Sequence, residues 1–455
     1  MPSSLSSRSV LPDPSSRTAQ WLTWIVRELT ACVFIFSGFV KAIDPWGTLY
    51  KVHDYLSAMH LDLWPNLVTV GVFFLCGIEF MLGVFLASGS FRRGVSVLTL
   101  LFMAVMLPLT LWIAIFDPVP DCGCFGDALI LTNWETFWKN VVLTVCALWL
   151  VIYNRHCRCL IMPALQWFGL MATALFIFII ELIGYIYQPL IDFRPYPIGS
   201  VIALDGKEDS DDDEPEFTFI YSKDGVEKEF SLDSLPDEEK GWVFVDRKEL
   251  NTRQEVSKLA LKDDTKEFHI WEGDEDVTED IITSDRDLLI LTMPEMEHVS
   301  ISTVWKINSL YDWASAHNIG MIAVAAGSGK DIATWKDLSM PEYPIYTADD
   351  TSIKELVRGN PAVIYVHDGT VKWKSSLRAL NSDDFVTDQN LKEPMDFARD
   401  NRWILNTLTW IYLAFMGLLI LASLIPMLSR LVLSHPKSHK YEAKPKPKTP
   451  NTPNS

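Results

Sequence analysis

The second part of this 455-residue sequence has no cysteine, and the chain as a whole has no surplus of basic residues. All seven cysteines lie at or before Cys159, so the residues that follow have no thiol to exchange. Acidic residues number 58 and basic residues 39. This balance argues against a nucleic-acid-binding protein, because such proteins meet phosphates with Lys and Arg. A hydrophobic share of 49% argues against a disordered chain.

Charge is scarce in six long stretches and dense between the last two of them. Between Gln188 and Arg402 there are 46 acidic and 23 basic residues, whereas the rest of the chain holds 12 and 16. A membrane-crossing helix needs about 20 mostly apolar residues. The sequence predicts six such helices: Trp24–Val40, Leu67–Ala87, Val95–Phe116, Phe137–Tyr153, Leu165–Tyr187 and Trp403–Met427. A purely soluble protein is excluded, and the lipid bilayer is the first predicted partner.

The predicted orientation follows from basic residues in the short connections between these helices. They lie before the first helix, between the second and third, between the fourth and fifth, and after the sixth: Arg8, Arg17, Arg92, Arg93, Arg155, Arg158 and Lys437–Lys448. All four places share one side, which the excess of Lys and Arg marks as cytoplasmic. We therefore predict a bacterial inner-membrane protein with both termini in the cytoplasm. The acidic block and the loop Asp117–Asn133 then face the periplasm.

The loop Asp117–Asn133 contains a close pair of cysteines, in the order Asp-Cys-Gly-Cys-Phe-Gly-Asp from residue 121 to residue 127. Two cysteines with one residue between them can form a strained ring, which is more easily reduced than a structural bridge. The pair is compatible with redox exchange, with a loop-closing disulfide, or with half of a site for Cu(I) or zinc. We take Cys122 and Cys124 as candidate catalytic residues and assign no metal ligand. The loop residues expected to support them are Gly123, Phe125 and Gly126.

Charged residues also lie inside the predicted helices, where an ionised side chain is expensive without a partner. Glu79 lies about 12 Å from the cytoplasmic end of the second helix, at 1.5 Å per residue, and Arg27 and Glu28 of the first helix are its possible partners. Lys41 lies near the opposite end of the first helix, where reaching toward headgroups explains it as well as a function does. For Glu79 we favour a structural or proton-handling role; an isolated protonated carboxyl is the alternative.

These residues resemble a known membrane family. Arg27, the run Ser37-Gly38-Phe39-Val40-Lys41 and Asp44-Pro45 resemble the first-helix signature of the DoxX-like four-helix membrane proteins. Gly77, Glu79, Gly83 and Arg92-Arg93 are similar to their second helix and following loop. The Cys-Gly-Cys-Phe-Gly loop resembles the MauE branch of methylamine utilisation, which is thought to help form disulfides in an exported enzyme subunit. The resemblance covers about Trp21–Tyr153 and implies a thiol–disulfide role for Cys122 and Cys124.

The acidic block begins with a linker and ends in alternating strands and helices. The run of acids at 208–216 reads as a solvated linker, and Asp224-Gly225 predicts a β-hairpin of Phe217–Tyr221 and Val226–Leu232, with Trp242–Val245 as a further strand. From Asp285, five strands are predicted: Leu288–Thr292, Ile319–Ala326, Tyr343–Thr347, Ala362–His367 and Thr370–Lys374. Three helices are predicted among them: Ser300–His317, Lys330–Leu338 and Thr351–Arg358. This order implies a small α/β domain.

The order also resembles the thioredoxin fold. Asn360-Pro361 before a strand and a return hairpin looks like that fold's cis-proline loop, which gives Pro361 the cis-proline position. The place of the family's active site, Met293–His298, contains no cysteine. The resemblance therefore implies a domain without redox chemistry of its own, which binds a partner or positions a substrate near the membrane loop. Fold alone does not settle function.

The sequence thus predicts a membrane α-helical bundle, with a four-helix DoxX/MauE-like core and two further spans, and an inserted periplasmic thioredoxin-like domain. The predicted segments are a polar tail (1–20), the four-helix domain (21–160), a fifth helix (161–187), an acidic β-rich linker (188–284), the thioredoxin-like domain (285–402), a sixth helix (403–431) and a Lys/Pro-rich tail (432–455).

The leading hypothesis is a membrane thiol–disulfide oxidoreductase that assists maturation of exported proteins, with a periplasmic client or a thioredoxin-like redox partner. A quinone is a possible electron acceptor, although no residue identifies one. The alternatives are a non-enzymatic scaffold whose soluble domain binds periplasmic partners, and a transporter or metal-handling protein built around Glu79 and the cysteine pair.

Overall fold

The structure is a computed structural model that describes residues 16–61, 63–119, 122–154, 159–202, 217–223, 226–231, 243–249, 268–282, 286–380 and 402–433. Several features discussed above lie outside the described residues: both chain ends, Asp121, Arg155, Arg158 and the acidic run at 208–216.

Six described helices are long and apolar enough to cross a membrane. They are α1 (Arg17–Ile43), α3 (Pro65–Ser88), α4 (Arg92–Phe116), α5 (Asn133–Tyr153), α6 (Gln166–Ile186) and α11 (Arg402–Leu433). Nine of the twelve ends lie within three residues of the predicted ones, whereas α1 and α5 begin earlier and α11 ends later than predicted. Many of their large apolar side chains are exposed, as expected of a surface that contacts lipid. The prediction of a multi-pass membrane protein is confirmed.

A helix lies where the sequence was interpreted as a loop between the first two spans. Helix α2 (Pro45–Ala58) begins directly after α1, and Asp44 caps it by accepting a hydrogen bond from the Gly47 amide at 3.0 Å. Asp-Pro is a recognisable helix start, because Asp is a favoured cap and proline suits the first helical position. The interpretation of Ile43–Asn66 as a loop was therefore wrong over most of its length. Helix α2 supplies several residues of the site described below.

A mixed sheet forms the centre of the α/β domain. Its strands, in chain order, are β4 (Trp271–Glu272), β5 (Glu275–Asp276), β6 (Asp287–Met293), β7 (Gly320–Ala325), β8 (Ile345–Thr347), β9 (Ala362–His367) and β10 (Thr370–Ser376). Its spatial order is β10-β9-β6-β7-β8-β4-β5. Strands β6, β7 and β8 are parallel, while β9 pairs antiparallel with β6 and β10 pairs antiparallel with β9. All five predicted strands from residue 285 onward are confirmed.

Helices cover both faces of this sheet. They are α7 (Thr278–Ile281), α8 (Val304–Ala316), α9 (Gly329–Ser339) and α10 (Asp350–Leu356). Successive residues of a strand point to opposite faces, so Leu289 and Leu291 pack with α8 and α9 while Leu288 and Ile290 pack with α10. The predicted helix Ser300–His317 is shorter than expected, because a 3-10 turn occupies Ile301–Thr303.

A second sheet precedes the α/β domain in the chain. It consists of β1 (Phe217–Lys223), β2 (Val226–Ser231) and β3 (Val243–Glu249), in the order β2-β1-β3, with both pairs antiparallel. The predicted hairpin is confirmed, and the third strand begins one residue later than predicted.

The segment that follows α6 is attached to the last strand of the α/β domain. Val201 forms a bridge with Thr370, and Lys374 Nζ lies 3.3 Å from Asp192 Oδ2. Asp192 also forms a 2.7 Å ion pair with Arg194. Burial would raise the pKa of Asp192, but Arg194 and Lys374 together outweigh burial and lower that pKa to about 2. The connection is therefore fixed by buried charge pairs, which orient the α/β domain on the membrane helices.

Candidate functional site

Two glycines bring helices α1 and α3 into backbone contact. A Cβ atom on Gly38 would overlap the backbone nitrogen of Phe80, and one on Gly83 would lie 2.6 Å from the backbone nitrogen of Ile35. Small residues allow this approach between membrane helices. The resulting alignment sets Lys41 of α1 opposite Glu79 of α3.

Lys41 and Glu79 form a buried ion pair. Lys41 Nζ lies 2.7 Å from Glu79 Oε2, and the two residues are each 6% exposed. Arg27 instead pairs with its neighbour Glu28 at 2.8 Å. The expectation that Arg27 or Glu28 partners Glu79 is thus wrong, and Lys41 is directed into the bundle. The prediction placed Glu79 in the membrane by counting residues from the end of its helix. That count does not identify Lys41 as the partner, because α1 and α3 are offset along their axes.

The cysteine loop lies against α1 and α2. Ser37 on α1 donates a hydrogen bond from its hydroxyl to the Cys124 carbonyl at 2.6 Å. Tyr55 on α2 donates one to the Cys122 carbonyl at 2.5 Å. Each cysteine is thereby held by a hydroxyl group from a different helix. The sequence had marked Ser37 only as part of the first-helix signature and had not marked Tyr55, since no local pattern indicates a hydroxyl–carbonyl contact between distant segments.

The two sulfur atoms are adjacent. Cys122 Sγ lies 3.1 Å from Cys124 Sγ, and both thiols are free. Gly123 and Gly126 have φ angles of +61° and +53°, which glycine adopts without the steric cost that a Cβ atom brings. The chain reverses tightly at Gly123, so the side chains of Cys122 and Cys124 lie on the same side of the loop.

The two thiols differ in acidity. The pKa of Cys124 is lowered to about 6, first because the Cys122 thiol donates a hydrogen bond to it; burial opposes this effect, and Lys139 and Lys41 favour the thiolate. The pKa of Cys122 is raised by the same hydrogen bond and by burial. A thiolate is the nucleophilic form of cysteine, so the lowered pKa makes Cys124 the more nucleophilic of the two thiols at neutral pH.

Phe125 anchors the loop on its other side. The residue is 6% exposed, its ring centroid lies 5.4 Å from that of Phe36, and Lys139 Nζ lies 4.1 Å above the ring. A cation over an aromatic face is an attractive arrangement. Phe125 thus holds the lysine of α5 near the cysteine loop.

The α/β domain contacts the cysteine loop through Arg358. This residue follows α10, and its guanidinium pairs with Asp44 at 2.8 Å and with Asp127 of the cysteine loop. Burial alone would lower the pKa of Arg358, but the two carboxylates outweigh it and raise that pKa. Burial also raises the pKa of Asp127, against the attraction of Arg358. Arg358 therefore joins the domain to both ends of the site.

The cysteine-free segment Met293–His298 lies at the same interface. The ring of His298 lies 6.4 Å from that of His53 on α2. The Asn360-Pro361 peptide is cis, and the Asn360 side chain donates a hydrogen bond to the Glu295 carbonyl at 2.7 Å. The segment and the proline loop are thereby held together beside the membrane helices. Throughout the described ranges, no group of three or more His, Cys, Asp or Glu side chains is arranged to hold a metal ion.

A buried acid in α6 had not been singled out from the sequence. Glu181 is 2% exposed, and its Oε1 atom has no hydrogen-bond partner among the described residues. The position of Gly77 on α3 is close to it, since a Cβ there would lie 3.8 Å from Oε1. The sequence could have indicated this residue, because an acid within an apolar membrane helix usually faces the interior of the bundle.

Comparison with known proteins gives a match for the membrane part. The family model described as Methylamine utilisation protein MauE matches residues 19–153, less than a third of the chain, and these residues include α1 from its third residue, α2–α5 and the cysteine loop. A second model, a domain of unknown function (DUF8463), matches residues 215–254, which include β1–β3. No curated protein and no solved structure matches the chain. Residues 19–153 therefore form a membrane domain similar to MauE.

Proposed function

We propose that this protein exchanges electrons with other proteins through a thiol–disulfide pair formed by Cys122 and Cys124. The observation that carries the proposal is the 3.1 Å separation of the two sulfur atoms, with the pKa of Cys124 lowered to about 6. A nucleophilic thiolate beside a second thiol is the arrangement that disulfide exchange requires. Structural cysteines in an apolar setting have raised pKa values instead.

The exchange has two steps, each with a sulfur nucleophile and a sulfur leaving group. The Cys124 thiolate attacks one sulfur of a protein disulfide, forms a mixed disulfide and expels the other sulfur as a thiolate, which takes up the proton of the Cys122 thiol. The resulting Cys122 thiolate then attacks Cys124 and releases the second client thiolate. The client disulfide is reduced by two electrons and the Cys122–Cys124 pair is oxidised. The reverse sequence oxidises a client dithiol, and the relative reduction potentials decide the direction.

The similarity to MauE suggests the kind of client. The matching family model is named for methylamine utilisation, and this supports a role in maturing an exported enzyme of such a pathway. The proposal places the protein in the bacterial inner membrane, with the cysteine loop and the α/β domain in the periplasm. The basic residues of the short connections support this orientation by the positive-inside rule.

The α/β domain serves, in this proposal, as a thioredoxin-like docking module. The sheet order around β6, with β7 parallel on one side and β9 antiparallel on the other, supports that assignment together with the cis peptide before Pro361. Since the domain has no cysteine, it contributes binding and not electron transfer. Its contact with Asp127 brings a docked client close to Cys124.

Differential alkylation in intact cells tests the proposal. Cells that produce the full-length protein are treated with a reductant or with an oxidant, and free thiols at Cys122 and Cys124 are then labelled and counted by mass spectrometry. We expect both residues to change together from free thiols to a disulfide, whereas Cys146, within α5, serves as an internal control that stays free. A pair that keeps one oxidation state under all conditions contradicts the proposal.

A second measurement separates exchange from a scaffold role. Replacing Cys124 with serine removes the attacking thiolate, so no mixed disulfide forms. Replacing Cys122 with serine leaves Cys124 able to attack, but no second thiol remains to release the client from the mixed disulfide. We expect Cys122→Ser to accumulate mixed disulfides with periplasmic proteins and Cys124→Ser to accumulate none. Equal behaviour of the two variants, with partner binding and growth unchanged, favours the scaffold.

A further inference from the structure

Arg378 of the α/β domain lies over two aromatic rings at the end of the membrane helices. Its guanidinium carbon lies 5.9 Å from the ring centroid of Trp46 and 5.4 Å from that of Tyr185. Trp46 is the second residue of α2, and Tyr185 is the last residue but one of α6. A cation is attracted to the face of an aromatic ring, so the two rings hold the arginine at the level where α6 ends.

The two rings are themselves fixed in place. They are stacked, with centroids 5.0 Å apart and an angle of 11° between their planes. The Trp46 indole also donates a hydrogen bond to the Tyr185 carbonyl at 2.9 Å, and the ring of Phe73 on α3 packs edge-on against that of Tyr185 at 5.6 Å. Trp and Tyr are enriched at the headgroup level of membranes. Arg378 is therefore presented to the level at which lipid phosphates lie.

The guanidinium of Arg378 has hydrogen-bond donors to spare. Its Nη1 donates to the Tyr185 hydroxyl at 3.0 Å, and arginine has several more donors. The residue is exposed, and no carboxylate in the described part of the chain forms an ion pair with it. The buried arginines Arg194 and Arg358, by contrast, each pair with an aspartate. Arg378 is thus suited to bind an anionic group from outside the chain.

An apolar stripe runs along α6 below Tyr185. Four large side chains on this helix are 39–70% exposed: Met171, Leu175, Phe178 and Leu182. They and Tyr185 follow one another at intervals of three or four residues, so they share one face of the helix. The ring of Phe178 lies 6.3 Å from that of Phe73, so the stripe borders α3. An exposed apolar stripe with a cation at its end matches a molecule that has an apolar chain and an anionic head.

We propose that Arg378, Tyr185 and the exposed stripe of α6 form a binding site for one phospholipid. The phosphate group accepts charge-assisted hydrogen bonds from the guanidinium, whose planar donors suit phosphate oxygens. One acyl chain lies along the stripe, which it covers over about four helical turns. The bilayer is the source of this phosphate, because a free phosphate ion would leave the apolar stripe uncovered.

The phospholipid would connect the α/β domain to the bilayer beside the exchange site. Arg378 follows the last strand of the domain, β10, whereas Trp46 belongs to α2, whose Tyr55 holds the Cys122 carbonyl. A phosphate bound to Arg378 therefore stabilises the position of the domain relative to α2. This binding does not require thiol exchange, so the proposal stands apart from the proposed function.

Lipid titration of the full-length protein in detergent tests the site, with native mass spectrometry as the measurement of bound molecules. The probes are dioleoylphosphatidylglycerol, dioleoylglycerol, which has the same chains without the phosphate, and inorganic phosphate, which has no chains. We expect the first phosphatidylglycerol to bind about tenfold more tightly than dioleoylglycerol, the usual effect of a charge-assisted hydrogen bond. Millimolar inorganic phosphate should not displace it.

Three variants identify the residue that binds the phosphate. Arg378→Gln should weaken phosphatidylglycerol binding about tenfold, and Arg378→Lys, which keeps the charge, should weaken it less. Arg286→Gln is the matched control, because it removes an exposed arginine just before β6, at the end of the sheet opposite Arg378, and it should leave binding unchanged.

Three results would overturn the proposal. They are equal binding of the two lipids, displacement of phosphatidylglycerol by inorganic phosphate, and equal affinity of the wild-type protein and Arg378→Gln. The comparison of the two lipids uses only the wild-type protein, so it decides the proposal even where a variant fails to fold. Cysteine exchange with lipid binding absent would leave the proposed function standing, and lipid binding without exchange would leave this site standing.

Discussion

Arg358 Nε lies 2.8 Å from Asp44 Oδ2, across 314 residues of chain. The arginine follows the last helix before β9, and the aspartate separates α1 from α2, so this contact joins the α/β domain to the membrane helices. The same guanidinium reaches Asp127 of the cysteine loop, and its side chain is 5% exposed. The position of the domain over the loop therefore depends on a buried cation between two carboxylates.

Removal of this cation is expected to loosen the domain. Arg358→Gln leaves Asp44 and Asp127, whose side chains are 15% and 34% exposed, without their partner, and solvent reduces the cost below the about 3–5 kcal/mol of a fully buried pair. We expect faster hydrogen–deuterium exchange in α2 and in Met293–His298, while the buried strand β6 keeps its protection. Lys330→Gln, an exposed lysine at the start of α9, is the control and should change nothing. Equal exchange in both variants contradicts the joining role of Arg358.

Local patterns predicted most elements of the fold, although they missed α2, α7 and the short strands β4 and β5. The alternation of apolar runs and turns gave the strands β6–β10 within one or two residues, and length and hydropathy gave the six spans. Helix α2 was missed because its sequence mixes aromatic, charged and small residues without a clear apolar stripe. Only its Asp44-Pro45 start carried a helix signal.

Contacts between distant elements were beyond the sequence. The cysteine pair was identifiable from its spacing, but Tyr55, Ser37 and Arg358 contact the loop only because separate helices and a separate domain meet there. The partner of Glu79 was misassigned for a related reason. The offset between α1 and α3 is set by backbone contact at Gly38 and Gly83, and no count of residues from a helix end reveals such an offset.

The acidity of Cys124 predicts a pH profile for its alkylation. Because its pKa is lowered to about 6, the rate should rise with pH, reach half of its maximum near pH 6 and be level at neutral pH. The largest cause is the hydrogen bond from Cys122, so Cys122→Ala should shift the profile to higher pH and Cys122→Ser should shift it less. Iodoacetamide labelling of the purified protein, read by fragment-ion mass spectrometry, measures the profile.

The same labelling has an internal control. Cys146 lies in α5, away from the cysteine pair, so its labelling should be identical in all three proteins. A Cys124 profile centred near that of an ordinary thiol, about 8.5, would show that the pair does not generate a thiolate.

The hydroxyl groups that hold the cysteine carbonyls should control the rate of exchange. Tyr55→Phe removes the hydrogen bond to the Cys122 carbonyl and keeps the ring, at a cost of about 0.5–1.5 kcal/mol. We expect slower reaction of the pair with a disulfide reagent, since Cys122 is less well placed to attack Cys124. Stopped-flow kinetics with a coloured aromatic disulfide measure the second, resolving step directly.

Tyr346→Phe is the matched control for Tyr55→Phe. It removes a tyrosine hydroxyl from β8, in a part of the α/β domain away from the cysteine loop. An equal slowing by both variants would mean that the effect is general and not due to the contact between Tyr55 and Cys122.

The backbone contact between α1 and α3 should tolerate no side chain at Gly38. A Cβ atom there overlaps the Phe80 backbone, so Gly38→Ala forces the helices apart, and overpacking of this kind costs about 1–3 kcal/mol.

Gly71→Ala is the control on α3, where a Cβ meets nothing within 4 Å and the better helix propensity of alanine adds up to about 1 kcal/mol. Thermal unfolding in detergent should therefore give a lower Tm for Gly38→Ala and an unchanged or higher Tm for Gly71→Ala. Separation of the helices also lengthens the contact between Lys41 and Glu79, which is 2.7 Å in the intact packing. Equal Tm values for the two variants would mean that α1 and α3 do not pack through Gly38.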